Sequence, residues 1–344
     1  MRIAVDVMGG DRGPRVIVEG AIQAAREFGV QLSLVGDQST IEHELASFDV
    51  QGLDIGIRHA SEVVEMNEPP TMAIRKKRDS SIRIATELVR TGEADAVVSA
   101  GNTGAAMATA KILLGSLKGV ERPAIATILP TAKNIALLLD VGANVDCKPR
   151  HLLQFAIMGY TYSKDILGIM NPRVGLLNIG EEESKGNELT KESFKTLKDG
   201  GLNFIGNVEG KDLYSGNVDV VVCDGFTGNV ALKISESVAE MISSYFKQEI
   251  PKKFIWKIGY FLMRPCFKGF KKKVDYDEYG GAPLLGINGV CIICHGRSGA
   301  KAIKNAIKVA IGFIQQNVNC HIQNSLAFPP SKEFENHGKV AQEN

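Results

Sequence analysis

Short apolar runs in this chain end again and again in glycine, asparagine or threonine, and a stretch with helical spacing follows most of them. The first covers residues 3–7 and leads into Met8-Gly9-Gly10-Asp11-Arg12-Gly13-Pro14. Pro14 suits a helix start, and the pattern behind it continues to Phe28. Residues 32–36 repeat the unit more weakly, with 37–40 as a turn or cap. Residues 95–105, DAVVSAGNTGA, have an echo at 219–229, DVVVCDGFTGN, in which Gly101, Thr103 and Gly104 answer Gly225, Thr227 and Gly228. Between the echoes, residues 135–140 run into Val141-Gly142-Ala143-Asn144, and residues 173–179 into a polar loop with Lys185 and Asn187 and a helix to Leu197. Residues 204–207 and 290–294 add further short runs, the last ending in His295-Gly296-Arg297-Ser298. Ile303, Ile307, Ile311, Ile314 and Val318 mark a helical stripe, core or dimer seam.

Alternating strands and helices predict an α/β fold with a mostly parallel sheet and right-handed crossovers, whose ligands gather beyond the carboxyl ends of the strands. Asp6, Gly9, Gly10, Asn102, Thr103, Gly104, Asn144, Lys185, Asp224 and Asn229 all follow strands, so they are expected to converge on one crevice. A glycine turn feeding a helix presents unpaired N–H groups that favour an anion, although the same residue types suit any tight turn and N-cap.

Two stretches break the rhythm. Residues 59–81 carry Glu62, Glu65 and Glu68, then Pro69-Pro70, then Arg75-Lys76-Lys77-Arg78; the basic cluster is expected to open a helix running to residue 89. Residues 252–273 hold eight basic residues, no acidic one, and the only tryptophan, Trp256. At about 100° per residue, Lys253, Lys257, Arg264 and Lys268 share one helical face and Phe254, Ile258 and Leu262 another. That is the pattern of an interfacial helix on an anionic membrane, with Phe261 also available to the acyl boundary; the alternative is a surface helix packed on the core or a second subunit. Pro265 is expected to end or kink it.

The chain has 344 residues, 44% hydrophobic and 23% charged, with a formal net charge of +1, which does not point to nucleic acid. The absence of a long linker or repeat array favours one domain over residues 1–344, with 251–277 as a membrane-facing insertion and 329–344 as a polar tail. Six cysteines without a secretory leader, and no apolar run near the roughly 20 residues of a membrane span, predict free thiols and a cytoplasmic protein. Residues 291–295, CIICH, match a haem-attachment spacing, but the apolar run around them reads as a buried strand. We expect neither metal nor cofactor.

The chain has no P-loop, no dinucleotide-binding fingerprint and no G-x-S-x-G elbow. Glycine turns, Asn, Thr and Lys remain, and these suit group transfer in which the substrate brings its own nucleophile. Inorganic phosphate placed against a thioester carbonyl needs mainly a cradle and a stabiliser for the developing oxyanion.

IAVDVMGGD, SAGNTGA, LLLDVGANVDCKP, GLLNIGEEESKGNELTK, NFIGNVEG, DVVVCDGFTGNVALK and YGGAPLLGINGV, in order along nearly the whole chain, resemble the bacterial phosphate acyltransferases of phospholipid synthesis, the PlsX family. The resemblance implies a three-layer α/β/α fold like isocitrate dehydrogenase and phosphotransacetylase, a homodimer and peripheral attachment to the membrane. It also implies acyl transfer from acyl carrier protein to inorganic phosphate, the acyl phosphate passing to a membrane glycerol-3-phosphate acyltransferase. Carried over, Asn102 and Thr103 fall in the family's AGNTGA element and Asp224 and Asn229 in DGFTGN; on their chemistry, Lys185 and Asn229 are expected on the phosphate and oxyanion, Asn102 with its neighbouring N–H groups in the phosphate cradle, and Asp224 beside Lys185 or Lys233 to orient it. Asn144 and Asn187 fall in the family's DVGAN and KGNE elements. Arg75 and Arg78 compete with 252–273 for the acidic carrier. Arg12 stands where the family has histidine, and Gly299 where it often has an acidic residue. A coenzyme A-dependent phosphotransacetylase and a non-catalytic membrane scaffold are the alternatives.

Overall fold

The computed structural model describes residues 1–328, the side chains of 71–73, 271, 272, 274 and 276 excepted; the expected polar tail at 329–344 lies outside the described residues. In the first half, β1 (Arg2–Asp6), α1 (Pro14–Phe28), β2 (Gln31–Gly36), α2 (Gln38–Leu45) and β3 (Ile55–His59) precede α3 (Pro70–Lys76). Then come α4 (Ser81–Thr91), β4 (Ala96–Ser99), α5 (Thr103–Leu113) and β5 (Ala124–Pro130). The second half holds β6 (Ile135–Leu139), α6 (Pro149–Asp165), β7 (Val174–Leu177), α7 (Glu188–Lys198), β8 (Phe204–Val208), β9 (Val220–Val222), α8 (Gly225–Glu249) and α9 (Phe254–Val274). The described residues end with α10 (Tyr276–Tyr279), β10 (Ala282–Leu285), β11 (Cys291–Ile293), α11 (Ala300–Gln315) and α12 (Val318–Ala327).

Among the described residues all the strands join one 11-stranded sheet in the order β3-β2-β1-β4-β11-β10-β5-β6-β9-β7-β8. Its strands are apolar on both sides, so alternate residues feed two cores. Ile3, Val5, Leu137, Leu139, Val220 and Val222 pack with α1, α6, α11 and α12, while Ala4, Leu138 and Val221 pack with α4 and α5 on the other face. That makes three layers.

The pairing is mostly parallel, but β11–β10, β10–β5 and β5–β6 are antiparallel. Those pairings reverse the direction of β6, β9, β7 and β8 relative to β1, β2, β3, β4 and β11. The carboxyl ends therefore form two rims rather than the one expected from the alternating pattern. The physical reason is the pair β5 and β10, which the sequence pattern did not reveal.

Two local expectations change. The basic residues at 75–78 do not open a helix; Arg75 and Lys76 fall in the last turn of α3, where cations complement the helix dipole, and α4 starts afterwards. Pro265 does not end the amphipathic segment, because α9 continues through it as one exposed helix. That helix folds back on α8, with Phe267 edge-on to Phe246 at 5.5 Å and Tyr260 at 5.2 Å from Phe267.

Candidate active site

The first rim is built on Asp6, the last residue of β1. Its carboxylate is buried, Oδ2 accepts the Ser99 hydroxyl at 2.7 Å, and Ser99 Oγ in turn accepts the Gly101 N–H at 3.1 Å. Burial pushes the Asp6 carboxyl above its ordinary value, with the Ser99 hydrogen bond acting in the opposite direction. Gly9 lies against this group: a Cβ there would come within 2.7 Å of Asp6 Oδ2 and 2.8 Å of the Gly101 nitrogen. Gly10 packs beside Ile17 and Ala100. Asp6 Oδ1 has no hydrogen-bond partner, and Asp6 lines a small cavity of about 10 Å³, room for a single water, with Ser81, Ser99 and Asn102.

Asn102 sits at the amino end of α5, as its motif suggests, but its side chain is already engaged. Oδ1 accepts the Ala105 N–H at 3.0 Å, and Nδ2 donates to the carbonyls of Met66 at 2.9 Å, Glu68 at 3.0 Å and Glu65 at 3.2 Å. The Asn102 amide is thus a helix cap and a strap on the loop before α3, which corrects its assignment as a phosphate donor. Thr103 is exposed at the first turn of α5, and Pro70 packs over Gly104.

The second rim repeats the plan at Asp140, which the sequence reading did not single out although it ends an apolar run much as Asp6 does. Asp140 is fully buried; Oδ1 accepts the N–H groups of Ile125 and Ala143, and Oδ2 those of Asn144 N and Nδ2 at 2.7 and 2.9 Å. Burial raises its carboxyl above the usual range, against these bonds. Asn144 also donates to the Pro123 carbonyl at 2.7 Å, and its own carbonyl accepts the Gly225 N–H at 2.7 Å, so it fastens the start of α8. Gly228 has no room for a side chain, since a Cβ would overlap the Asp140 carbonyl oxygen.

Asp224 caps α8, taking the Thr227 N–H at 2.9 Å and the Thr227 hydroxyl at 2.7 Å. Among the described residues no ion pair joins Asp224 to Lys185 or Lys233, and Lys233 pairs with Glu236. Asn187 likewise caps α7 through the Thr190 N–H at 2.9 Å. Lys185 lies in the exposed loop after β7, whose carbonyl is held by Asn178 at 3.2 Å. Its ammonium makes no hydrogen bond or ion pair among the described residues.

Helix α8 joins the rims. Asn229, in its second turn, lies against Gly142 of the second rim. One turn further on, Lys233 bonds Glu236 at 2.8 Å and approaches His295 Nε2 at 3.4 Å, while Arg297 pairs with Glu240 at 3.6 Å. His295 belongs to the first rim: the adjacent Gly296 accepts the Asp11 N–H at 2.9 Å and abuts Met66, the residue held by Asn102. Neighbours therefore run from Asn102 through Met66 and Gly296 to His295 and Lys233, and from Asn229, one turn back on α8, to Gly142 of the second rim. No such contact joins Lys185 to Asn229 or Asn102; it shares the second rim, on the strand next to β9.

Around this seam the surface is greasy. The outer face of α8 opens on a groove of about 600 Å³ lined by Val230, Ile234, Val238 and Met241 beside Asn229 and Lys233. On α9, Phe254, Phe261 and Leu262 are more than two-thirds exposed, Lys257 and Arg264 are exposed too, and Lys253 lies 4.5 Å from the Trp256 ring. Arg75, in the last turn of α3, and Arg78, just after it, are exposed. No helix among the described residues is long and apolar enough to cross a membrane. Cys291, in β11, and Cys294, just beyond it, are buried, and burial pushes their thiols up to about 12. Among the described residues no cluster of three His, Cys, Asp or Glu side chains is arranged to hold a metal ion.

The fold is that of the phosphotransacetylases. A phosphotransacetylase from Streptococcus pyogenes superposes with a TM-score of 0.61 over 94% of this chain and 93% of its own, and the EutD phosphotransacetylase from Staphylococcus aureus with 0.60 over 91% and 94%, at 16% and 15% identity. Residues 1–321 match the family model described as fatty acid synthesis protein, and the chain belongs to this family. Its relatives include the phosphate acyltransferase of Geobacter sulfurreducens, 58% identical over 93% of this chain and 92% of the relative. The phosphate acyltransferase of Geotalea daltonii is 57% identical over 95% and 94%.

Proposed function

We infer that this chain is a phosphate acyltransferase that takes a fatty acyl group from acyl-acyl carrier protein and gives acyl phosphate for phospholipid synthesis. The observation that carries the reading is the match, over more than nine-tenths of both chains, to relatives named phosphate acyltransferase. A phosphate oxygen attacks the thioester carbonyl, the C–O bond forms, and the C–S bond breaks. The thiolate leaves and takes a proton, freeing the thiol of the carrier. No protein nucleophile is required, in keeping with a cleft rich in Asn, Lys and Gly.

The Lys185 ammonium and the Asn229 amide are assigned to the phosphate and the developing oxyanion, where preorganised donors are most effective. Asp6 and Asn144 hold the two rims in shape. The groove on α8 suits either an acyl chain or the matching face of a second subunit, and the exposed apolar residues beside the cations of α9 suit the headgroup boundary of an anionic membrane. A cytoplasmic protein attached there delivers its product directly to a membrane glycerol-3-phosphate acyltransferase. Arg75, Arg78 and the cations of α9 are two candidate docking patches for an acidic carrier.

The test is to give the purified protein palmitoyl carrier or palmitoyl-coenzyme A, with and without phosphate. Phosphate-dependent thioester cleavage with a clear preference for the carrier supports the reading. Equal or better use of the coenzyme A thioester refutes the donor assignment.

A further inference from the structure

Two nitrogens face each other where the rims meet. Nζ of Lys233, on α8, lies 3.4 Å from Nε2 of His295, in the loop between β11 and α11. On the other side of the ring, Nδ1 of His295 accepts the Arg297 N–H at 3.2 Å. A neutral imidazole has only one bare nitrogen. Once Nδ1 is taken by the Arg297 N–H, Nε2 carries the proton, and the close approach to Lys233 sets donor against donor. Glu236 occupies one N–H of the ammonium at 2.8 Å and leaves the others available. An acceptor of two hydrogen bonds with negative charge satisfies both prongs; a third cation or a neutral donor satisfies neither.

We propose that Lys233 and His295 form a clamp for a phosphate oxyanion, one prong from each rim, so that the anion itself fastens the two halves of the cleft. This rests on the phosphate-acceptor reading above and adds His295 to it. Both prongs are held by backbone: Lys233 by α8, and the His295 loop by the Asp11 N–H on the Gly296 carbonyl at 2.9 Å and the Ser298 N–H on the His295 carbonyl at 2.8 Å. Charge-assisted bonds from a lysine and an imidazole N–H suit a tetrahedral oxyanion that offers several oxygens. Asn229, one turn before Lys233, lies along the same groove and gives the bound phosphate a neighbouring amide. Inorganic phosphate and a phosphate carried on the acyl donor present the same oxygens to the clamp.

The experiment uses the full chain. Inorganic phosphate is titrated by calorimetry in the absence of any thioester, and KM is measured separately for phosphate and for the acyl carrier substrate. His295→Phe and Lys233→Met are each expected to weaken the anion by about tenfold, and the double variant by less than the product of the two, because both prongs grip one ligand. His295→Gln, whose amide nitrogen reaches the Nε2 position, is expected to keep most of the affinity, and it serves as the folded comparison if the phenylalanine variant unfolds. Weaker binding of free phosphate with a raised phosphate KM assigns the clamp to inorganic phosphate; a raised KM for the acyl donor alone assigns it to a phosphate on that donor. Folded variants with all these constants within about twofold of the parent overturn the clamp. If the parent protein itself shows no phosphate-dependent cleavage, the acceptor reading has failed, and that outcome is separate from a silent His295.

Discussion

Asp6 and Asp140 do the same work at opposite ends of the cleft: each ends an apolar run, is buried, and braces a glycine turn. Burial raises both carboxyls, and a raised folded-state value means stability that is fully present below the unfolded value and lost as pH rises through the folded one. Asp6→Asn, which keeps an acceptor for Ser99, is therefore expected to flatten the fall in melting temperature on going from acid to neutral pH; an unchanged slope would remove Asp6 from the account. Asn144→Ala strips two donors from a buried system and is expected to cost about 1–3 kcal/mol, read by urea unfolding. Lys185→Ala is expected to lower acyl phosphate formation by about 10²-fold with little change in stability, since its ammonium supports nothing in the fold. At this scale the positions were legible in the sequence and several jobs were not. Asn102, Asp224 and Asn187 follow strands as expected, yet each caps a helix. Anion ligands and N-caps draw on the same short polar side chains, so only coordinates separate them.

The elements that escaped the sequence pattern are the ones that reverse the sheet. β5 is bounded by prolines at both ends, and β10 is four residues with an internal proline between glycines, so neither offers the clean run that marks a strand. The units around Asn102, Asn144, Lys185 and Asp224 were readable because each pairs an apolar run with a glycine-bearing turn. Helix α9 was readable from its spacing, although its passage through Pro265 was not, since an exposed helix tolerates the lost bond when its neighbours on α8 hold it. Replacing Trp256, Phe261 and Leu262 together with serine is expected to abolish sedimentation with anionic vesicles while leaving soluble turnover intact; retained sedimentation would move the membrane contact elsewhere. On α8, Ile234→Asp is expected to shift a dimer towards monomer in sedimentation velocity, and an unshifted dimer would assign that groove to the acyl chain.

Taken whole, the molecule is one 11-stranded sheet whose two halves run in opposite directions, with a helix that begins on the second rim and reaches His295 of the first. The phosphotransacetylase-like fold supplies the cleft, and the turns at its edges supply donors without any nucleophile of their own. The central claim is that phosphate is the attacking group, and oxygen-labelled phosphate tests it most directly. Incubation of the protein with palmitoyl carrier and fully ¹⁸O-labelled phosphate, followed by mass spectrometry, is predicted to give acyl phosphate retaining every labelled oxygen. Unlabelled palmitate as the product, released at the same rate without phosphate, would contradict it.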